Sequence, residues 1–187
     1  MLFRDLSLSG AHLIEIERHA DARGYFARTW CRREFRKQNL ETEYVQASVS
    51  VNPTRGTLRG LHFQCMPHWE VKVVQCIRGA IHDVIVDLRP RSPTFRQWLG
   101  VTLSAESRDM LYVPVGFAHG FQTLENDTEV SYLVSTFYVP AATRGIRYDD
   151  PALGIDWPLE VTRISDTDRG LPGIDDVTGL MAAGGKR

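Results

Sequence analysis

From about Tyr44 onward, short runs of β-branched and aromatic residues alternate with turn residues. The runs are Val45–Val51, Thr57–Gln64, Val71–Ile77, Ile81–Leu88, Trp98–Leu103, Met110–Val113, Gly120–Leu124 and Thr128–Val139. Asn52-Pro53, Arg78-Gly79, Arg89-Pro90, Ser92-Pro93 and Glu125-Asn126-Asp127 punctuate them. Strands at that spacing, with no helical segment between them, predict an all-β sandwich or barrel. Ahead of them, residues 1–20 alternate loosely and read as one or two strands. Asp21–Gly24 is a turn and Tyr25–Trp30 is strand-like by aromatic content. Arg32–Leu40 is the only helix expected, short and charged, with Phe35 and Leu40 as anchors and Asn39 near its C-terminal cap. Beyond Arg144 the chain has Pro, Gly and Asp but little periodicity. An ordered wrap with short turns is expected there, ending in a disordered Ala-Ala-Gly-Gly-Lys-Arg.

A length of 187 residues suits one domain: an N-terminal arm (1–43), a barrel (44–140) and a C-terminal wrap (141–187). With 22 basic and 23 acidic residues the net charge is −1, so no global field favours nucleic acid or membrane. No run of roughly 18 apolar residues occurs, and the first residues carry no apolar signal segment, so a cytoplasmic protein is expected. Cys31, Cys65 and Cys76 lack metal-ligand spacing and read as reduced thiols.

The chemistry concentrates in Leu58–Lys72, which packs Arg59, His62, Gln64, His68, Glu70 and Lys72 into a strand-patterned run. Polar groups at that density on an apolar element each need a hydrogen-bond partner or water. Strict alternation puts Leu58, Gly60, His62 and Gln64 on one face and Arg59, Leu61 and Phe63 on the other. Arg59 and His62 therefore share a cavity only if a bulge intervenes, and Gly60 is the residue that permits one. Lys72, Val74 and Cys76 share a face of the next strand, so a lysine sits among apolar neighbours. That is costly unless it meets an anion or a polarised oxygen. Taken alone, His62 is compatible with a structural histidine and Tyr132 with a core aromatic.

Gly56-x-x-x-x-x-His62-x-Gln64 and Pro114-x-Gly-x-x-His119 together resemble the two motifs of the cupin superfamily, a double-stranded β-helix or jelly-roll barrel. Metal-binding cupins use a second histidine where this chain has Gln64. Glu70 is a possible carboxylate, so a metal-dependent isomerase or dioxygenase using His62, Gln64, Glu70 and His119 is one alternative, and a non-catalytic sugar-binding cupin is another. A finer resemblance covers most of the chain. Its markers are Arg59-Gly-Leu-His62-Phe-Gln64, Pro67, Lys72, Gly79-Ala-Ile-His-Asp83, Val86-Asp-Leu-Arg89, Ser92-Pro-Thr-Phe95, Pro114-x-Gly-Phe-Ala-His119-Gly-Phe, Gly145-Ile-Arg-Tyr-Asp-Asp-Pro151, Ile155-x-Trp157-Pro and Ser165-x-x-Asp168. In this order they are similar to the dTDP-4-dehydrorhamnose 3,5-epimerase family of nucleotide-sugar epimerases.

The resemblance implies epimerisation beside a ketone, at C3, C5 or both, of a dTDP-linked 4-keto-6-deoxy sugar, without a cofactor or metal. It implies His62 as base, Asp168 as the carboxylate that orients it, Lys72 as stabiliser of the C4 oxyanion, and Tyr132 as acid. It further implies that Arg23, Phe26, Gln46, Arg59, Lys72, His119 and Tyr138 hold substrate. Arg169 then stands in for a lysine often found before the aspartate. By parity, Tyr132 and Tyr138 fall on one face of a strand running Thr128–Val139. The family forms homodimers in which N-terminal strands cross to the partner, which would carry residues such as Arg23 into the neighbour's site. The chain departs from the family pattern at Arg28, Ser48, Thr143 and Thr167, all of them substrate-holding positions. Arg28 and Thr143 would make the nucleotide end of the cleft more positive and weaken the preference for thymidine.

Overall fold

The computed structural model describes residues 1–177, so the terminal Ala-Ala-Gly-Gly-Lys-Arg lies outside the described residues, and within them the eight periodic runs each form a strand among thirteen short strands. The N-terminal part contains β1 (Leu2–Asp5), β2 (His12–Glu15), β3 (His19–Asp21), β4 (Gly24–Phe26) and helix α1 (Arg32–Lys37). The central part runs β5 (Gln46–Asn52), β6 (Leu58–Gln64), β7 (Lys72–Arg78), β8 (Ala80–Asp87) and β9 (Trp98–Ser104). It continues through β10 (Met110–Val113), β11 (Phe117–Thr123) and β12 (Thr128–Val134). β13 (Thr143–Gly145) and α2 (Asp166–Arg169) follow.

Two antiparallel sheets result, in the orders β1-β2-β10-β7-β12-β5 and β13-β6-β11-β8-β9. Val74, Cys76, Ile81, Ile85, Phe121 and Val130 are buried together in one core, with Tyr132 packed against it. Leu61, Phe63, Val84 and Val86 point the other way, into a second core capped by Ile146, Leu153 and Ile174 of the C-terminal wrap. The third core puts Phe35 of α1 on Val71, Val73 and Met110. Full burial of one such phenylalanine contributes about 1.5–3 kcal/mol. Helix α1 is shorter than expected because the chain leaves helical geometry at Gln38, and Asn39 takes φ 57°.

Three strand limits differ from the pattern by three residues or more. The strand expected over Tyr25–Trp30 is β4, which stops at Phe26. β11 begins at Phe117, not Gly120, and all its residues are buried. Phe117, Ala118, His119 and Gly120 are strand because they pair with Asp87, Val86, Ile85 and Val84 of β8, and only glycine fits at 120, where a Cβ would lie 2.7 Å from the Arg59 carbonyl. β12 ends at Val134, not Val139, because Val134 pairs with Gln46 and with Lys72, the first residues of β5 and β7. Beyond it the ladder has run out on both sides, and Tyr138 stands in a loop.

The bulge expected at Gly60 is present. His119 pairs with His62 and Phe121 with Arg59, so three steps of β6 oppose two of β11. The extra residue brings the side chains of Arg59 and His62 to one cavity. Gly60 has φ 111°, and a Cβ there would meet the Gly120 Cα at 2.7 Å and the His119 carbonyl at 2.8 Å. Both obstacles are backbone, so neither can swing aside. We expect Gly60→Ala to cost about 2–4 kcal/mol, from the positive φ and the overpacking together. Urea unfolding should show this as a lower midpoint at unchanged slope. A midpoint equal to that of the wild type would mean that β6 and β11 separate freely.

Candidate active site

Two cavities, of about 630 and about 240 Å³, lie between the sheets and share His62, Lys72, Tyr132 and Asp168 as walls. The larger adds Gln46, Gln64, Glu70 and Tyr138. The smaller adds Ser50, Arg59 and His119.

His62 enters from β6 and meets a carboxylate from the far end of the chain. Ser165 caps α2, its hydroxyl accepting the Asp168 N–H at 3.0 Å. Asp168 then places Oδ1 2.7 Å from His62 Nε2, and Oδ2 accepts the Gly60 N–H at 3.1 Å. Burial pushes the Asp168 carboxyl up, but the bonds from His62, Gly60 and Ser165 outweigh it and hold it below the usual carboxylate range. A fixed acceptor on Nε2 leaves Nδ1 as the imidazole's free basic nitrogen.

Lys72 begins β7, on the same face as Val74 and Cys76. It does meet an anion: Glu70 Oε1, 2.9 Å from its Nζ. Tyr132 pairs with Val74 across the ladder and packs, partly buried, against the first core while lining both cavities. Burial drives its phenol's pKa upward, with Asp83 adding and Arg59 opposing, so the hydroxyl keeps its proton at neutral pH. His119 Nε2 lies 2.7 Å from the buried Asp83 Oδ1, and the His119 ring meets Tyr132 edge-on at 6.1 Å. Arg59 donates through Nε to Asn52 Oδ1 at 2.7 Å.

Sequence reasoning did not assign Asp83 or Asn52 a role. Asp83 carried a signal, being an acid between Ile81 and Ile85 in a strand otherwise suited to burial. Asn52 carried none beyond a turn next to Pro53.

Other expected residues lie elsewhere. Arg23 sits at the tip of the β3–β4 hairpin, paired with Asp21 and clear of both cavities. Phe26 is 71% exposed. The hairpin is a separate two-stranded sheet with no ladder to the main sheets, and its aromatics face Arg18 and the surface around Gln75 and Arg108 and not the two cavities. Arg169 is exposed at the end of α2, because the turn that points Asp168 inward points its neighbour outward. Tyr138 lines the larger cavity from the loop, its N–H bonded to Gln46 Oε1 at 2.6 Å, not from a shared strand face. Ser48, Thr143 and Thr167 line the larger cavity, whereas Arg28 pairs with Glu34 outside it.

The four residues of the metal-site alternative are engaged separately. His62 and His119 each hold their own aspartate, and Gln64 donates to Glu70 Oε2 at 2.9 Å while accepting the Val139 N–H at 2.7 Å. Among the described residues no group of three or more His, Cys, Asp or Glu comes together as a metal cage. None of their helices is long and apolar enough to cross a membrane.

A double-stranded β-barrel with paired ionisable groups around an internal cavity defines a cupin-type enzyme. The model of one family, dTDP-4-dehydrorhamnose 3,5-epimerase, matches residues 5–176. The dTDP-4-dehydrorhamnose 3,5-epimerase of Sinorhizobium fredii is 43% identical over 175 residues, 93% of this chain and 90% of that one. The crystal structure of the Bacillus anthracis dTDP-4-dehydrorhamnose 3,5-epimerase, with TDP and PPi bound, superposes with a TM-score of 0.89. It is 41% identical and covers 92% of this chain and 98% of its own. The Legionella pneumophila dTDP-6-deoxy-D-glucose-3,5-epimerase, in complex with dTDP-4-keto-L-rhamnose, gives a TM-score of 0.88 at 33% identity, with 93% of each chain covered. The chain belongs to the dTDP-4-dehydrorhamnose 3,5-epimerase family of isomerases.

The dyad has a pH signature. Because the folded pKa of Asp168 is depressed, its contribution to stability is complete above the unfolded carboxyl value of ~3.9 and is lost as pH falls through the folded value. The stability difference between wild type and Asp168→Asn, from urea unfolding, should therefore be largest near neutrality and shrink below pH ~4. A difference independent of pH would mean that the carboxylate's charge is not what His62 and Gly60 recognise.

Proposed function

We propose that this chain epimerises a dTDP-linked 4-keto-6-deoxy sugar at the carbons flanking the ketone, converting dTDP-4-dehydro-6-deoxyglucose to dTDP-4-dehydrorhamnose. The observation that carries this is the convergence of His62–Asp168, Lys72 and Tyr132 on both cavities. His62 takes the proton from the carbon beside C4, and the C–H electrons move into the C4 carbonyl to give an enolate. Asp168 holds the imidazole in orientation and steadies the imidazolium that forms. The Lys72 ammonium stabilises the negative oxygen. Tyr132, a phenol that carries its proton at neutral pH, returns a proton from the opposite face, and both groups then re-equilibrate with solvent. All of these steps are proton transfers at a carbon acid, and this chain's own side chains supply every group they need.

Arg59 has a planar fork suited to paired phosphate oxygens, and His119 and Gln46 supply further polar contacts. Tyr138 offers a flat face at the mouth of the larger cavity. The β3–β4 hairpin, exposed at every residue, would deliver Arg23 and Phe26 to the cavity of a second copy in a homodimer with exchanged N-terminal strands. Arg28 lies on the chain leaving that hairpin and would travel with it, so its effect on nucleotide choice depends on the same exchange. Free thiols at Cys31, Cys65 and Cys76 fit a reducing, cytoplasmic compartment.

His62→Asn should lower kcat by about 10²–10⁴-fold, the usual share of a positioned base. KM should change far less, because the imidazole acts mainly in the transition state. Turnover at the wild-type rate on dTDP-4-dehydro-6-deoxyglucose would remove His62 from the mechanism. Tyr132→Phe should slow product formation more than proton abstraction, so that in deuterated water recovered substrate gains deuterium faster than product appears. Equal loss of exchange and turnover by NMR would mean that Tyr132 holds substrate and is not the acid.

A further inference from the structure

Glu70 is a cavity-wall carboxylate that none of the proton-transfer steps uses. Its Oε1 lies 2.9 Å from Lys72 Nζ, and its Oε2 accepts from Gln64 Nε2 at 2.9 Å. Both members of the ion pair are largely enclosed, with side chains 11% (Glu70) and 14% (Lys72) exposed. Gln64 is itself pinned: its Oε1 accepts the Val139 N–H at 2.7 Å, and its Nε2 also reaches the Phe137 and His68 carbonyls at 3.3 Å. A continuous hydrogen-bonded chain therefore runs from the loop carrying Tyr138, through Gln64 and Glu70, to the Lys72 ammonium.

We propose that Glu70 is a positioning residue for Lys72. A lysine on its flexible stem has many rotamers, and its value to an enolate depends on where the ammonium sits. One of its donors bound to a carboxylate that is clamped from behind selects a single position, and the remaining donors stay free for the C4 oxygen. The carboxylate also draws on the ammonium's charge, so the arrangement serves catalysis only where fixing the donor outweighs that loss. Glu70 does not compete with His62 as base, because each of its oxygens already has a donor. The inference rests on the function proposed above, in which Lys72 stabilises the enolate oxygen.

The experiment is a double-mutant cycle on dTDP-4-dehydro-6-deoxyglucose, read as kcat, KM and deuterium uptake at the carbons beside the ketone. Glu70→Ala should lower kcat and deuterium uptake together by about 10–10²-fold, the scale of a misplaced catalytic group, with KM within about threefold. Glu70→Gln keeps an acceptor oxygen for the ammonium but sets its amide N–H₂ against the Gln64 Nε2 donor, so it should recover only part of that loss. In a Lys72→Ala background, Glu70→Ala should have almost no further effect, since a residue that acts through Lys72 has nothing left to position. Losses that multiply in the double mutant, or a Glu70→Ala variant as fast as wild type, overturn the proposal. Should Glu70→Ala fail to fold, Glu70→Asp keeps the charge and withdraws it by one methylene. An unchanged kcat in that variant overturns the proposal equally. A wild-type chain with no turnover of the 4-keto sugar overturns the proposed function and this inference with it. Normal wild-type turnover with insensitive Glu70 variants overturns this inference alone.

Discussion

The arrangement hangs on one short contact, His62 Nε2 to Asp168 Oδ1 at 2.7 Å, between residues 106 positions apart. It makes the C-terminal wrap part of the site and not merely its cover. The wrap lies along β6: β13 pairs with its end, Leu58 donates to the Arg163 carbonyl at 2.8 Å, and Leu61 and Ile146 exchange backbone bonds. From that position the single turn of α2, capped by Ser165, aims one carboxylate at both His62 and the Gly60 amide. The Gly60 amide is available because the bulge takes that residue out of the regular ladder. Bulge, cap and dyad thus depend on one another, and none is useful alone.

The cavity walls carry several ionisable side chains, and three of them are held by a carboxylate partner. His119 has Asp83, Lys72 has Glu70 and His62 has Asp168, while the exposed Arg59 bonds the neutral Asn52. An unpaired buried charge costs several kcal/mol, whereas a paired and hydrogen-bonded one can be roughly neutral to stability. The pairing also orients. Each partner occupies one side of its side chain and leaves another toward the cavities, so the same contacts that make burial tolerable arrange the site before substrate arrives.

The single chain gathers His62, Lys72, Tyr132 and Asp168 around its cavities but leaves its most exposed aromatics, Phe26, Phe137 and Tyr138, outside any core. Tyr138 is kept at the cavity mouth by Gln46 and by the Gln64 contacts to its neighbours. Phe26 has no comparable anchor. The cavity-lining ionisable groups thus come from strands and from α2, and the exposed aromatics from a loop and a hairpin.

Much of this was legible in the sequence, for a physical reason. Alternation specifies which face a side chain takes, so the strands, the shared face of Lys72, Val74 and Cys76, and the need for a bulge between Arg59 and His62 could all be read locally. So could the shortage of helix. What a side chain meets was not local. The strand carrying Tyr132 stops at Val134 because β5 and β7 begin opposite it, a limit written in other segments. Glu70 had the composition of a metal ligand and became the partner of an ammonium. Asp83 looked like a family marker and became the partner of His119. Arg23 and Phe26 follow a hairpin that no ladder holds to the main sheets. The sequence by itself determined the faces, the turns and the residue types able to move a proton. Tertiary structure alone decided which of them stand within hydrogen-bonding distance, since that distance is closed by segments far apart in the chain and by the packing that brings them together.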